Sequence, residues 1–96
     1  MAVRTSFEKE EALEVATSLG IDFDAEPFTL DEFRAGMNVE LEHGRRDPAT
    51  NVTGDDPTMT GKIALAHLRE MPDYYVRLAA MEAEAEAEMA EKLDPA

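Results

Sequence analysis

The chain contains no cysteine, no tryptophan and only three lysines. Without cysteine there is neither a disulfide framework nor a thiolate zinc site. Nine basic residues stand against 22 acids, giving a formal charge of −13 and a pI near 4.3. A sequence-independent grip on nucleic acid needs a basic face, so DNA and RNA are excluded as expected partners. A polybasic hold on anionic lipid is excluded on the same ground. No apolar run approaches the roughly 20 residues of a membrane span. The opening stretch MAVRTSFEKEE carries no signal-peptide apolar region. At 96 residues there is room for one domain, not for separate cofactor and substrate halves. A soluble protein is expected, cytoplasmic or associated with a virion.

What is present is acid and helix-forming sequence. Acid-rich, lysine-poor surfaces stay hydrated in concentrated salt, where self-repulsion is screened. A halophile cytoplasm, a virus of one, or an ordinary acidic bacterial protein all fit. Disorder, which high net charge favours, is opposed by a 44% hydrophobic content and by periodic apolar stripes. The charge is unevenly placed. Residues 1–32 carry nine acids and two bases, residues 72–96 seven acids and two bases. Residues 33–71 carry six acids and five bases, and both histidines.

Four helices are predicted, at 5–19, 29–43, 57–71 and 72–92, forming an all-α compact bundle with one long loop at 44–56. Thr5 and Glu8 fit a capping box for the first, and Gly20 fits its left-handed C-terminal stop. Thr29 and Glu32 form a second capping box, with Phe28 and Phe33 as a hydrophobic staple. Leu30, Phe33, Met37 and Leu41 make one apolar stripe, and Gly44 is expected to end the helix. The stretch Gly44–Asp56 is rich in Gly, Asp, Thr and Pro, and unusually long for a connection. Its Asn51-Val52-Thr53 sequon is taken as chance. Asp56-Pro57 reads as the start of the third helix, apolar nearly all round and therefore central. Pro72 opens the fourth, where Tyr74, Leu78, Met81 and Ala85 recur at helical spacing. Residues 86–96 are expected to fray from the single domain 1–96.

One constellation points to chemistry. Glu40 and His43 stand at i and i+3, on one helical face. His67 and Glu70 repeat the pair in reversed order. Glu-x-x-His is the half-site of di-iron and di-manganese carboxylate bundles, and two carboxylates with two imidazoles suit iron, zinc or manganese. Gly36 shares the first face and would let another element approach. A simple antiparallel hairpin would separate His43 from His67 by roughly 15 Å, so a shared site requires the loop to run back. Each histidine also has a structural explanation. His43 suits the negative end of its helix, and His67 suits a hydrogen-bonded core position beside Glu70 or a tyrosine hydroxyl. No EF-hand, phosphate loop or Ser nucleophile with a base is present, so no catalytic residue is assigned. Arg45-Arg46 is expected to pair with the acidic termini. Thr60 and Lys62 are expected to decorate the third helix, and Tyr74-Tyr75 to sit at a wet edge.

The segments FTLDEFRAGMNVELEHG (28–44), DPATNVTGDDP (47–57) and TGKIALAHLREMPDYYVRL (60–78) resemble a family of small proteins of bacteria, archaea and viruses. It is known only as a domain of unknown function. The resemblance spans roughly residues 20–85 and implies no established activity. It implies that Glu40, Glu42, His43, His67, Glu70, Tyr74 and Tyr75 belong to the family core. Glu40-x-x-His43 alone resembles ferritin-like proteins, whose second Glu-x-x-His is missing here. The functional expectation is a non-enzymatic interaction or structural module. It would associate with itself or with another protein, and the faces of Met37, Met59 and Met81 would supply the interface. The alternative is a metal-binding helical protein using Glu40, His43, His67 and Glu70.

Overall fold

The computed structural model describes residues 6–93. Among these, four α-helices and one short 3₁₀ turn follow in order: α1 Lys9–Ser18, α2 Leu30–Arg45, the 3₁₀ turn Pro48–Thr50, α3 Pro57–Glu70 and α4 Tyr74–Leu93. The all-α bundle expected from the stripes is the fold observed.

Helix α1 starts later than the sequence suggested. Its N-cap is Glu8, whose backbone N–H donates to the Glu11 carboxylate at 3.0 Å in a reciprocal capping box. Thr5, the expected cap, lies outside the described residues. Phe7 belongs to the core rather than to the helix: it is fully buried. Its N–H donates to Asn38 Oδ1 at 2.6 Å, and its carbonyl accepts from Arg34 Nε at 2.7 Å. The lead-in segment is thus pinned to α2. At the far end Gly20 adopts φ +72°. The Ile21 N–H then bonds the Ala16 carbonyl and the Gly20 N–H that of Thr17, the two bonds of a Schellman stop.

Helix α2 begins as expected. Thr29 Oγ1 accepts from the Glu32 N–H, and the Glu32 carboxylate accepts in return from the Thr29 N–H. Phe28 and Phe33 stack with ring centroids 6.4 Å apart, and Phe23 packs edge-on to Phe28 at 6.0 Å. Gly44 does not end α2, which continues to Arg45. A Cβ at Gly44 would lie 2.9 Å from Asn51 Oδ1, so glycine serves close approach of the loop there. The loop folds onto the last turn of α2 around that same side chain. Asn51 Oδ1 accepts from the Gly54 N–H and the Thr53 hydroxyl, while Asn51 Nδ2 donates to Asp55 Oδ1. Gly54 and Asp55 both take positive φ inside this knot.

Helix α3 is capped by Asp56, which accepts from the Met59 N–H. It is not buried all round. Thr60, Gly61, Ala64 and Leu68 form one buried face, while Met59 and Ala66 are exposed. Only α1 and α2 flank α3 closely, so Ile63 and Leu65 stay half-buried. Thr60, expected on the surface, is fully buried, its hydroxyl bonded to the Asp56 carbonyl at 2.7 Å. At Gly61 an added Cβ would run into Val15 and Phe33, so glycine lets α3 close on α1 and α2. The core is Phe7, Ala12, Val15, Ala16, Phe28, Phe33, Met37, Leu41, Ala64 and Leu68, with Ile21 and Phe23 against it. Met37 is fully buried and so is withdrawn from any interface. Arg45 and Arg46 turn to Asp55 and Glu42, not to the acidic termini, among the described residues.

Helix α4 differs from the rest. It starts at Tyr74, two residues beyond Pro72, and runs 20 residues. No side chain from Tyr74 to Lys92 is buried. The molecule extends 53 Å along its longest axis and 20 Å along its shortest.

Candidate functional site

Glu40 of α2, His67 of α3 and Tyr74 and Tyr75 of α4 gather where α4 leaves the bundle. His67 Nε2 comes within 3.8 Å of Glu40 Oε2. Glu40 is the best shielded of the four candidates, its side chain 12% exposed. It accepts the Tyr75 hydroxyl at 2.8 Å. Burial pushes the Tyr75 phenol well above its usual range, and the bond to the Glu40 carboxylate adds to that rise.

The two tyrosines hold the site from α4. The imidazole of His67 lies flat on Tyr74, centroids 4.1 Å apart and planes within 4°. Tyr75 meets both rings edge-on, at 6.1 Å from His67 and 5.0 Å from Tyr74. Gly36 makes room for this. A Cβ there would sit 2.5 Å from Cε2 of the Tyr75 ring. The missing side chain read from the sequence therefore has a specific occupant. Neighbouring elements place a tyrosine hydroxyl on Glu40, and a tyrosine ring on His67, where the sequence suggested a hydroxyl for the histidine.

The other two candidates lie apart from this pair. His43 remains in the last turn of α2 and faces α4, its Nε2 3.8 Å from Glu82 Oε2. Val39, His43, Ala79 and Glu82 line the shallow cleft between the two helices. Glu70 is exposed at the end of α3. Among the described residues no group of three or more His, Asp or Glu side chains is placed to hold a metal ion. The partner that sequence reasoning missed is Glu82, and only the contact of α4 with α2 reveals it. Its alternating Ala-Glu tail gives no periodicity that singles out one glutamate.

Chemically, the cluster is a set of polar and aromatic contacts between helices. Each histidine of the chain touches a residue of α4, and Glu40 bridges all three helices through His67 and Tyr75. A carboxylate holding a tyrosine proton, an imidazole stacked on a phenol and a glycine gap together fix how α4 sets out from the bundle. No described helix is long and apolar enough to cross a membrane.

No curated protein and no solved structure matches the chain. A family model described as protein of unknown function (DUF5661) matches residues 12–84, from α1 into α4, and includes Gly36, Glu40, His43, His67, Tyr74, Tyr75 and Glu82. The chain belongs to this family.

Proposed function

We propose that the protein is a non-enzymatic structural module that assembles with a second copy of itself through α4, in an environment of concentrated salt. The observation that carries this reading is the unburied apolar stripe of α4. Tyr74, Leu78, Met81 and Ala85 follow one helical edge, and Met81 and the more distal Met89 are 59% and 60% exposed. A lone helix gains little from burying nothing, and clustered exposed methionines mark contact surfaces. Tyr75 and Glu82 face α2 and one face of the Tyr74 ring covers His67, which leaves Met81 exposed and Leu78 half-exposed to meet another chain. The acidity fits the same reading. Two chains of −13 repel at low ionic strength and approach once salt screens them.

Sedimentation of the full chain in about 0.15 M and 2 M KCl, spanning weak and strong screening, tests this. A dimer strengthened by salt is expected. The paired change Leu78→Glu with Met81→Glu should leave a folded monomer. A wild-type chain that stays monomeric at both salts overturns the proposal. The metal-binding reading on Glu40, His43, His67 and Glu70 has less support, because only Glu40 and His67 meet, where zinc sites take three or four protein donors. Metal analysis of untagged protein prepared without chelator decides it.

A further inference from the structure

We infer that the second copy docks antiparallel on α4, about a twofold axis between Leu78 and Met81, so that Arg77 of each chain meets Glu84 of the other. This rests on the self-assembly proposed above and adds its orientation and register.

Tyr74, Leu78, Met81 and Ala85 are spaced by four, three and four residues, the spacing of a two-helix seam. An antiparallel twofold midway between Leu78 and Met81 sets Leu78 against Met81 and Tyr74 against Ala85. Large then meets small at each end, and two flexible or branched side chains of similar size meet in the middle. Met89 of the second copy falls level with the far end of an apolar groove formed by Met71, Tyr74, Leu78 and Met81.

Charge selects the same orientation. Arg77 and Glu84 are seven residues apart and so lie on one edge of the stripe. An antiparallel twofold brings each edge against its own copy, reversed. Arg77 therefore lies near Glu84 twice over. The opposite edge is occupied by Tyr75 and Glu82, already engaged with α2. A parallel pair would instead bring Glu82, Glu84, Glu86, Glu88 and Glu91 alongside the same five residues. Antiparallel packing lays that acidic half against residues 68–77 of the second copy, which carry two acids and two bases.

The absence of cysteine makes single-cysteine probes unambiguous. In the antiparallel register two Ala85 positions are 11 residues apart along the seam, about 16 Å, so Ala85→Cys should not cross-link. A parallel pair would set them opposite and cross-link readily. Arg77→Glu or Glu84→Arg alone should weaken self-association on the order of tenfold, since each alters two pairs per dimer. The combined exchange should recover affinity to within about threefold of wild type, as expected when the coupling is pairwise. A wild type that never dimerises overturns the self-assembly reading itself. A dimer that cross-links at Ala85→Cys, or that shows no recovery in the combined exchange, leaves that reading standing and overturns this register.

Discussion

Replacing Gly36 by alanine tests the junction of α2 and α4 most directly, because two opposing effects have separable signs. In a helix interior Gly→Ala is normally stabilising by about 0.5–1 kcal/mol. Here the added methyl would stand 2.5 Å from Cε2 of Tyr75 and 3.1 Å from both Cδ2 and Cζ. Ordinary contact needs close to 3.5–4 Å. The ring must therefore retreat by roughly an ångström, and its hydroxyl is tied to Glu40 at 2.8 Å. Retreat breaks that bond. A hydrogen bond to a charged group is worth about 1.5–3 kcal/mol, and Tyr75 also loses packing against His67. The balance is a net destabilisation of about 1–2 kcal/mol, or several degrees in the midpoint of a 96-residue chain. Thermal unfolding followed by circular dichroism gives the stability. Tyrosine emission, unobscured by tryptophan, reports the environment of Tyr75. In a Tyr75→Ala background the clash with the ring is gone, and Gly36→Ala should turn stabilising by about 0.5–1 kcal/mol. A Gly36→Ala protein as stable as wild type, or the same sign in both backgrounds, would refute the reasoning.

Alkaline titration probes the same tyrosine. Its phenol is raised above the ordinary value of 10.0, so the native state holds this proton longer than the unfolded chain. The resulting stability is complete below pH 10 and is lost as pH rises beyond it; unfolding midpoints should fall more steeply there for wild type than for Tyr75→Phe. Asn51→Ala removes the acceptor shared by Gly54 and Thr53. A loss of about 1–2 kcal/mol is expected, with faster hydrogen exchange at the Gly54 amide, and an unchanged exchange rate would count against the knot. Thermal midpoints should rise between about 0.1 M and 2 M KCl as self-repulsion is screened, and a flat response would remove the high-salt reading.

How much of this was legible in sequence depended on whether a signal was local. Thr29 with Glu32, Asp56 with Pro57 and the Gly20 stop act through bonds within a few residues, and all three ends fell where expected. The start of α1 misled because Glu8 and Glu11 offer a capping pair as good as Thr5 and Glu8. Gly44 misled for a different reason. Glycine marks a helix end or a close approach, and only the position of Asn51 decides between them. The same ambiguity at Gly36 resolved as close approach, but nothing local named Tyr75 as the visitor. The Glu-x-x-His pattern correctly placed Glu40 and His43 on a common stretch of α2. It did not say that they address different elements, since a 60° separation on a helix suffices to send Glu40 to His67 and Tyr75 and His43 to Glu82.

The contrast between the two edges of α4 carries the functional argument further than the metal pattern does. Its inward edge is held by discrete polar contacts near its start, Tyr75 to Glu40 and Glu82 to His43, with small alanines between. Such contacts orient a helix, whereas they bury little apolar surface to stabilise 20 residues of it. Leu78 and Met81 lie on the adjoining edge, half-buried and exposed respectively, and Met89 is exposed towards the end of the helix. If α4 were merely a solvated extension, polar residues would serve that edge equally well, and replacing Met81 and Met89 with glutamine would leave solution mass and stability untouched. If the edge is a seam, the same replacement should shift the dimer to monomer in concentrated salt and lower the concentration dependence of the unfolding midpoint. The second outcome is expected, because a domain this small buries a modest core and gains most from sharing a second one.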